Sequence, residues 1–148
     1  GTLVFNFTAF NPGFFQYLAL LSKDHSGFKD GGHLTLFINN QGVLKGRFQS
    51  EDDEHYLYDW DVRIEPNQEY HLAFTFDEDQ IALYLDGALI DTDTGFADGM
   101  TGNVEDLVLG ASTRTRDGDD DNLQWHFDGT IENLLLLDRP LEEIEVKF

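Results

Sequence analysis

The densest chemistry in this 148-residue chain is the run Asp117-Gly118-Asp119-Asp120-Asp121-Asn122. Calcium takes six to eight oxygen ligands, so carboxylates and amides clustered on a turn are the pattern that would hold it. Asp117, Asp119 and Asp121 alternate as in the first half of a calcium loop, and Asn122 tolerates the left-handed turn needed there. The run is not an EF-hand: position twelve is Asp128 instead of Glu, and strand-like residues flank it. Two readings stand, a cation site or a solvated acidic loop in an acidic chain. Crowding five carboxylates and amides into six residues, costly without a cation, favours the first.

Other residues could contact a ligand. Arg114 and Arg116 flank the acidic loop, where their guanidinium forks would either hold a sugar carboxylate or neutralise neighbouring Asp. Trp125 follows closely and is a candidate surface ring. Tyr56, Tyr58 and Trp60 alternate on one face, as a sugar-stacking platform or, as expected for large aromatic residues, a stripe turned to the core. His33 and Arg47 come close if their strands pair, through a buried hydrogen bond or a shared ligand. His25, His55, His71 and His126 lack metal-ligand spacing.

The elements that must position these groups read as strands almost throughout. Period-2 alternation runs from Leu3, Phe5 and Phe7, a half-buried first strand, to Phe127, Gly129 and Ile131 near the end. Tyr17 to Ser22 is apolar enough for a strand covered on both faces. His33–Ile38 and Val43–Gln49 make a hairpin across Asn39-Asn40-Gln41-Gly42, and Asp86-Gly87 marks a tight one. Residues 91–105 and 111–123 read as long loops, of a length that tends to be functional. A terminal strand from Gln124 to Leu137 changes parity after Ile131, which predicts a β-bulge near Glu132-Asn133. Pro140 to Ile144 reads as one helical turn. About ten short strands predict an all-β fold, a two-sheet antiparallel β-sandwich, as one domain over residues 1–148.

Composition narrows the partners. A formal net charge of -20, from 29 acidic against 9 basic residues, repels nucleic-acid phosphates and anionic lipid. With no cysteine there is no disulfide framework and no thiolate chemistry. No apolar run is long enough for a membrane span, and the chain opens in strand-like residues without a signal peptide, so it reads as a module cut from something longer.

Four segments then resemble a known family: Leu20-Leu21-Ser22-Lys23-Asp24; Gly31-Gly32-His33-Leu34; Tyr70–Phe76 with Leu83-Tyr84-Leu85-Asp86-Gly87; and Leu107–Ala111 with Phe127–Ile131 and Leu141–Ile144. In this order and spacing the chain is similar to the laminin G-like branch of the concanavalin A-like lectin/glucanase superfamily. The likeness is strongest with modules embedded in bacterial surface or exported proteins. The resemblance implies a jelly roll and extracellular or cell-surface binding and adhesion, with carbohydrate, cell-surface glycan or protein as partner and calcium as cofactor. It further implies a site where the acidic loop meets the Asp24–His33 loop, as in jelly-roll relatives such as pentraxins, with Asp24 and Asp30 completing the shell. Gly129 would admit the facing sheet, and the last turn would cap the end of the sandwich.

Glucanases of that superfamily use two Glu flanking an Asp on one strand, and nothing here matches. Glu51 to Glu54 lie in a turn, and Glu142, Glu143 and Glu145 lie in the last one. The expectation is a non-catalytic, calcium-assisted carbohydrate-binding module. The alternatives are a structural or protein-interaction module and, behind it, a glycoside hydrolase or lyase.

Overall fold

The computed structural model describes residues 1–24, 32–49, 54–94, 103, 105–113 and 123–146. Along the chain run β1 (Thr2–Ala9), β2 (Leu18–Asp24), β3 (His33–Ile38), β4 (Leu44–Gln49), β5 (Glu54–Leu57), β6 (Glu69–Phe76), β7 (Ile81–Leu85), β8 (Ala88–Asp93), β9 (Val108–Leu109), β10 (Gly129–Leu137) and the short helix α1 (Glu143–Val146). The strands form two five-stranded antiparallel sheets, one in the order β10-β1-β6-β7-β8 and the other β5-β4-β3-β2-β9. This is the expected jelly-roll sandwich.

Alternation drives the layering, because successive side chains point to opposite faces of a strand. From the first sheet Leu3, Phe5, Phe7, Leu72, Phe74 and Leu83 enter the core, and from the second Leu34, Leu36, Ile38, Leu44, Phe48 and Leu57 meet them. Phe48 stacks on Phe74 across the gap, with ring centroids 6.1 Å apart. Each such side chain contributes about 1.5–3 kcal/mol when fully buried. The Asp86-Gly87 turn has φ of 50° and 76°, the paired positive values of a type I′ hairpin. The predicted bulge is present: register slips between Val4↔Leu135 and Asn6↔Glu132, with Asn133 at φ 58°.

Four local expectations change. The first strand is covered on both faces, since Val4 is 6% exposed and packs with Ala73, Ala82, Tyr84 and the fully buried Val146. The terminal turn therefore lies against the outer face of the first sheet and does not cap the sandwich end. It is tied there by Thr2, whose hydroxyl donates to Arg139 O (2.9 Å) and accepts from Leu141 N (2.9 Å). The last strand starts at Gly129, because Trp125 at φ 53° interrupts the extended chain and Gln124 forms only an isolated bridge to Ser112. At Gly129 the crowding comes from the neighbouring strand instead of the facing sheet: a Cβ there would stand 2.0 Å from Thr8 O and 2.8 Å from the Phe127 ring.

Among the described residues, no helix is long and apolar enough to cross a membrane.

Candidate binding pocket

The second sheet has an outer face that is polar yet largely covered. On β4, Leu44 and Phe48 enter the core, so Lys45, Arg47 and Gln49 take the opposite parity. Register sets their neighbours: Phe37 lies opposite Lys45, Thr35 and Tyr56 flank Arg47, and His33 and Glu54 flank Gln49. On the far side of β3, Ala19 faces Phe37, Ser22 faces Thr35 and Asp24 faces His33. Cross-strand neighbours on one face are close enough to interact, and here they form a continuous band.

Part of that band opens into a pocket of about 350 Å³. Arg47, Lys45 and Asn39 supply its polar lining, and Tyr17, Phe37, Tyr56 and Trp125 its aromatic lining. The size falls within the range of small-ligand sites, and a mainly apolar wall with few polar groups is their usual chemistry. Trp125 stacks on Tyr17 at 4.9 Å and tilts against Phe37 at 5.3 Å, and its carbonyl accepts from Ala19 N at 2.7 Å. A tryptophan in the left-handed region is costly, and here it turns the ring into the pocket wall.

The two cations are held differently. Arg47 is 3% exposed; its Nε donates to Glu54 Oε1 at 2.7 Å and its Nη2 to Gln49 Oε1 at 2.5 Å. The Tyr56 hydroxyl donates to the same Glu54 oxygen at 2.9 Å. The Lys45 ammonium lies 4.0 Å from the Tyr58 ring centroid and 4.4 Å from that of Trp60, two rings set edge to face at 5.1 Å. Burial pulls the Lys45 pKa below the usual lysine value.

Beside the pocket, Asp24 is buried at 1% exposure under a set of hydroxyl donors. Thr35 Oγ1 lies 2.7 and 2.8 Å from its two oxygens, Ser112 donates at 3.1 Å, and His33 Nδ1 stands 3.5 Å away. Ser22 links the same region, donating to Ala111 O at 2.9 Å and accepting from Thr113 N at 3.1 Å. These bonds bring the chain before residue 114 over the sheet, and the Ser112↔Gln124 bridge, with N–H donors at 2.7 and 2.8 Å, returns it at Trp125.

Of the residues singled out in the sequence, Arg47 and Trp125 line the pocket, and Trp60 sits beside it against Lys45. His33 does not line it and lies opposite Gln49 instead of Arg47, turned towards Asp24. Arg114, Arg116, Asp117, Asp119, Asp121, Asn122 and Asp30 fall outside the described residues. Asp24, the remaining candidate metal ligand, is engaged by hydroxyl donors, and among the described residues no group of three His, Asp or Glu is placed to hold a metal ion. The expectation that Tyr56, Tyr58 and Trp60 face the core is overturned: Tyr56 is 40% and Trp60 47% exposed. Leu57 takes the core position of that edge strand, which puts Tyr56 on the other face, and Tyr58 and Trp60 follow beyond the strand's end against Lys45. Tyr17, Phe37, Asn39 and Lys45 were not foreseen. Lys45 and Arg47 share the outward parity of a strand whose Leu44 and Phe48 were readable as core, and that parity was the available signal.

A laminin G family model, described as the concanavalin A-like lectin/glucanases superfamily, matches residues 10–147. No curated protein matches significantly. Among solved structures, the CBM40 of the Ruminococcus gnavus IT-sialidase bound to α2,6-sialyllactose superposes with a TM-score of 0.77 at 24% identity, over 99% of this chain and 80% of that one. A leech intramolecular trans-sialidase complexed with 2,7-anhydro-Neu5Ac gives 0.76 at 19% identity, over 99% and 22%. Mouse laminin α1 domains LG4-5 give 0.66 at 13% identity, over 97% and 36%. At these identities the likeness is one of fold.

Proposed function

The chain belongs to the concanavalin A-like lectin/glucanases superfamily, and from that premise we propose that it is a non-catalytic module that binds carbohydrate in the pocket between Trp125 and Tyr56. The observation that carries this reading is the lining itself: four aromatic side chains around two cations and one amide. Ring faces suit the apolar faces of pyranoses, and the few polar groups would orient hydroxyls or a carboxylate. The R. gnavus CBM40, which shares the fold, is bound to sialyllactose, which makes that trisaccharide the first ligand to test.

The same lining speaks against turnover. Glycoside hydrolysis uses two carboxyl groups about 5–9.5 Å apart across the scissile bond, whereas no carboxylate lines the pocket among the described residues. Glu54, the nearest on β5, is committed to Arg47 and Tyr56. Membership in this superfamily also supports a place outside the cell. Calcium is a separate proposal that rests on the oxygen-rich run Asp117 to Asn122. It predicts a higher melting midpoint in calcium than in chelator, and equal midpoints would remove it.

Isothermal titration with sialyllactose and a panel of neutral oligosaccharides tests the main reading. Binding by the isolated domain that is lost on Trp125→Ala supports it. Failure to bind any glycan, with the fold intact by circular dichroism, would overturn it.

A further inference from the structure

The two pocket cations are neighbours of one parity on β4, about 6.6 Å apart along the strand, and their surroundings give them different work. Arg47 is already neutralised. Its Nε is in an ion pair with Glu54 at 2.7 Å, and Gln49 accepts from its Nη2. A ligand carboxylate arriving there would meet a pair of zero net charge and would face Glu54 at close range.

Lys45 is held without being neutralised by any of the described residues. The rings of Tyr58 and Trp60 attract its ammonium through their quadrupoles, which fixes the group in place and leaves its full charge. Among the described residues no carboxylate lies within ion-pair distance of Lys45, and burial alone accounts for the lowering of its pKa. An ammonium that has lost part of its water gains more from an anion than a solvated one does. On a chain of net charge -20, most of the surface repels an acidic sugar, so one unneutralised cation inside a cavity can decide selectivity.

We propose that Lys45, held against Tyr58 and Trp60, receives the carboxylate of an acidic sugar in the pocket, while Arg47 with Glu54 and Gln49 forms an electrically neutral hydrogen-bonding floor. This rests on the carbohydrate-binding reading. It assigns roles within the site: Lys45 sets the preference for acidic over neutral sugars, and Tyr58 and Trp60 are positioning residues. It also accounts for the outward-facing aromatic corner, which the pocket wall alone does not require.

Calorimetric titration with 3′-sialyllactose and with lactose separates the roles. Wild type binds sialyllactose more tightly, by about ten- to a hundredfold, the value of one charge-assisted contact. Lys45→Met abolishes that preference, bringing sialyllactose affinity down to that of lactose for the same variant, and Lys45→Arg retains it. Trp60→Leu lowers the preference severalfold, but the remaining sialyllactose binding still weakens with salt because the ammonium is still there. Glu54→Gln frees the charge of Arg47 and raises sialyllactose affinity, a gain that a misfolded variant cannot produce. Three results would overturn the assignment: equal wild-type affinity for the two sugars, an undiminished preference in Lys45→Met, or no gain in Glu54→Gln. Wild-type binding to neither sugar would instead remove the carbohydrate reading itself, and this assignment with it.

Discussion

Trp125 carries both a ring and a backbone penalty, and two substitutions separate them. Its φ of 53° places a bulky L-residue in the left-handed region, at a cost of about 1–2 kcal/mol. Its ring makes two aromatic contacts, with Tyr17 at 4.9 Å and Phe37 at 5.3 Å, each contributing about 0.5–1.5 kcal/mol beyond burial. Trp125→Ala removes the ring and keeps the strain, so it is expected to lose at least about 1–3 kcal/mol, with the lost burial added to that. Trp125→Gly removes both. Its gain of about 1–2 kcal/mol from released strain is reduced by about 0.4–1 kcal/mol for the greater freedom of glycine in the unfolded chain. The glycine variant should therefore be the more stable of the two by roughly 1 kcal/mol, about 2–4 °C for a domain of this size. Both should lose sugar binding: one aromatic contact contributes about 0.5–1.5 kcal/mol beyond its burial, up to about tenfold in affinity. Differential scanning calorimetry and titration with sialyllactose read the two effects separately. An alanine variant at least as stable as the glycine variant would refute the strain argument, and unchanged affinity in both would refute the ring as a pocket wall.

Three further outcomes are expected. Gly129→Ala forces a Cβ into Thr8 O and should lower stability by at least about 1–3 kcal/mol, read by urea denaturation; an unchanged midpoint would mean that β1 and β10 separate freely. Sialyllactose binding should weaken as pH rises through the folded-state pKa of Lys45, which lies below the ordinary lysine value of 10.5. Unliganded stability should rise in the same window, because the unfolded chain then binds more protons. Among the described residues, the charged or titratable groups of the pocket and its floor beside that ammonium are Arg47, Glu54, Tyr17, Tyr56 and Tyr58, so Lys45→Arg, which stays charged, is the control that must flatten the binding profile. The pKa of His71 is lowered by burial, partly opposed by Asp86. Stability tied to His71 is then complete above its unfolded value of about 6.5 and falls with pH towards the folded one, a slope that His71→Gln should remove in melts between pH 7 and 5.

The fold was legible because alternation survives at low resolution of detail. Leu3, Phe5 and Phe7, the Asp86-Gly87 turn and the parity change at Asn133 each encode a local backbone geometry. The site was less legible because the decisive facts are relational. Nothing local in Tyr56 and Trp60 says that Leu57 takes the core position of an edge strand. Tyr17 becomes a wall only when Trp125 is brought across from the other end of the chain. Charge density pointed to the acidic run at 117–122, yet the cavity is lined by two of the few basic residues.

The path from Asp24 to Trp125 shows why a binding domain would retain a buried carboxylate. An apolar side chain at that position would avoid a desolvation cost of several kcal/mol. Asp24, however, accepts from Thr35 on the sheet and from Ser112 on the chain that crosses it, so one carboxylate joins two segments remote in sequence. Ser112 is bridged to Gln124, and the next carbonyl, that of Trp125, accepts from Ala19 on β2. The ring that stacks on Tyr17 is thereby fixed from both sides of its own backbone. A hydrophobic replacement could fill the volume at Asp24, but it would supply no acceptor for either hydroxyl and so no reason for the crossing segment to stop in this register. Polar burial here trades stability for placement, and what it places is the pocket wall.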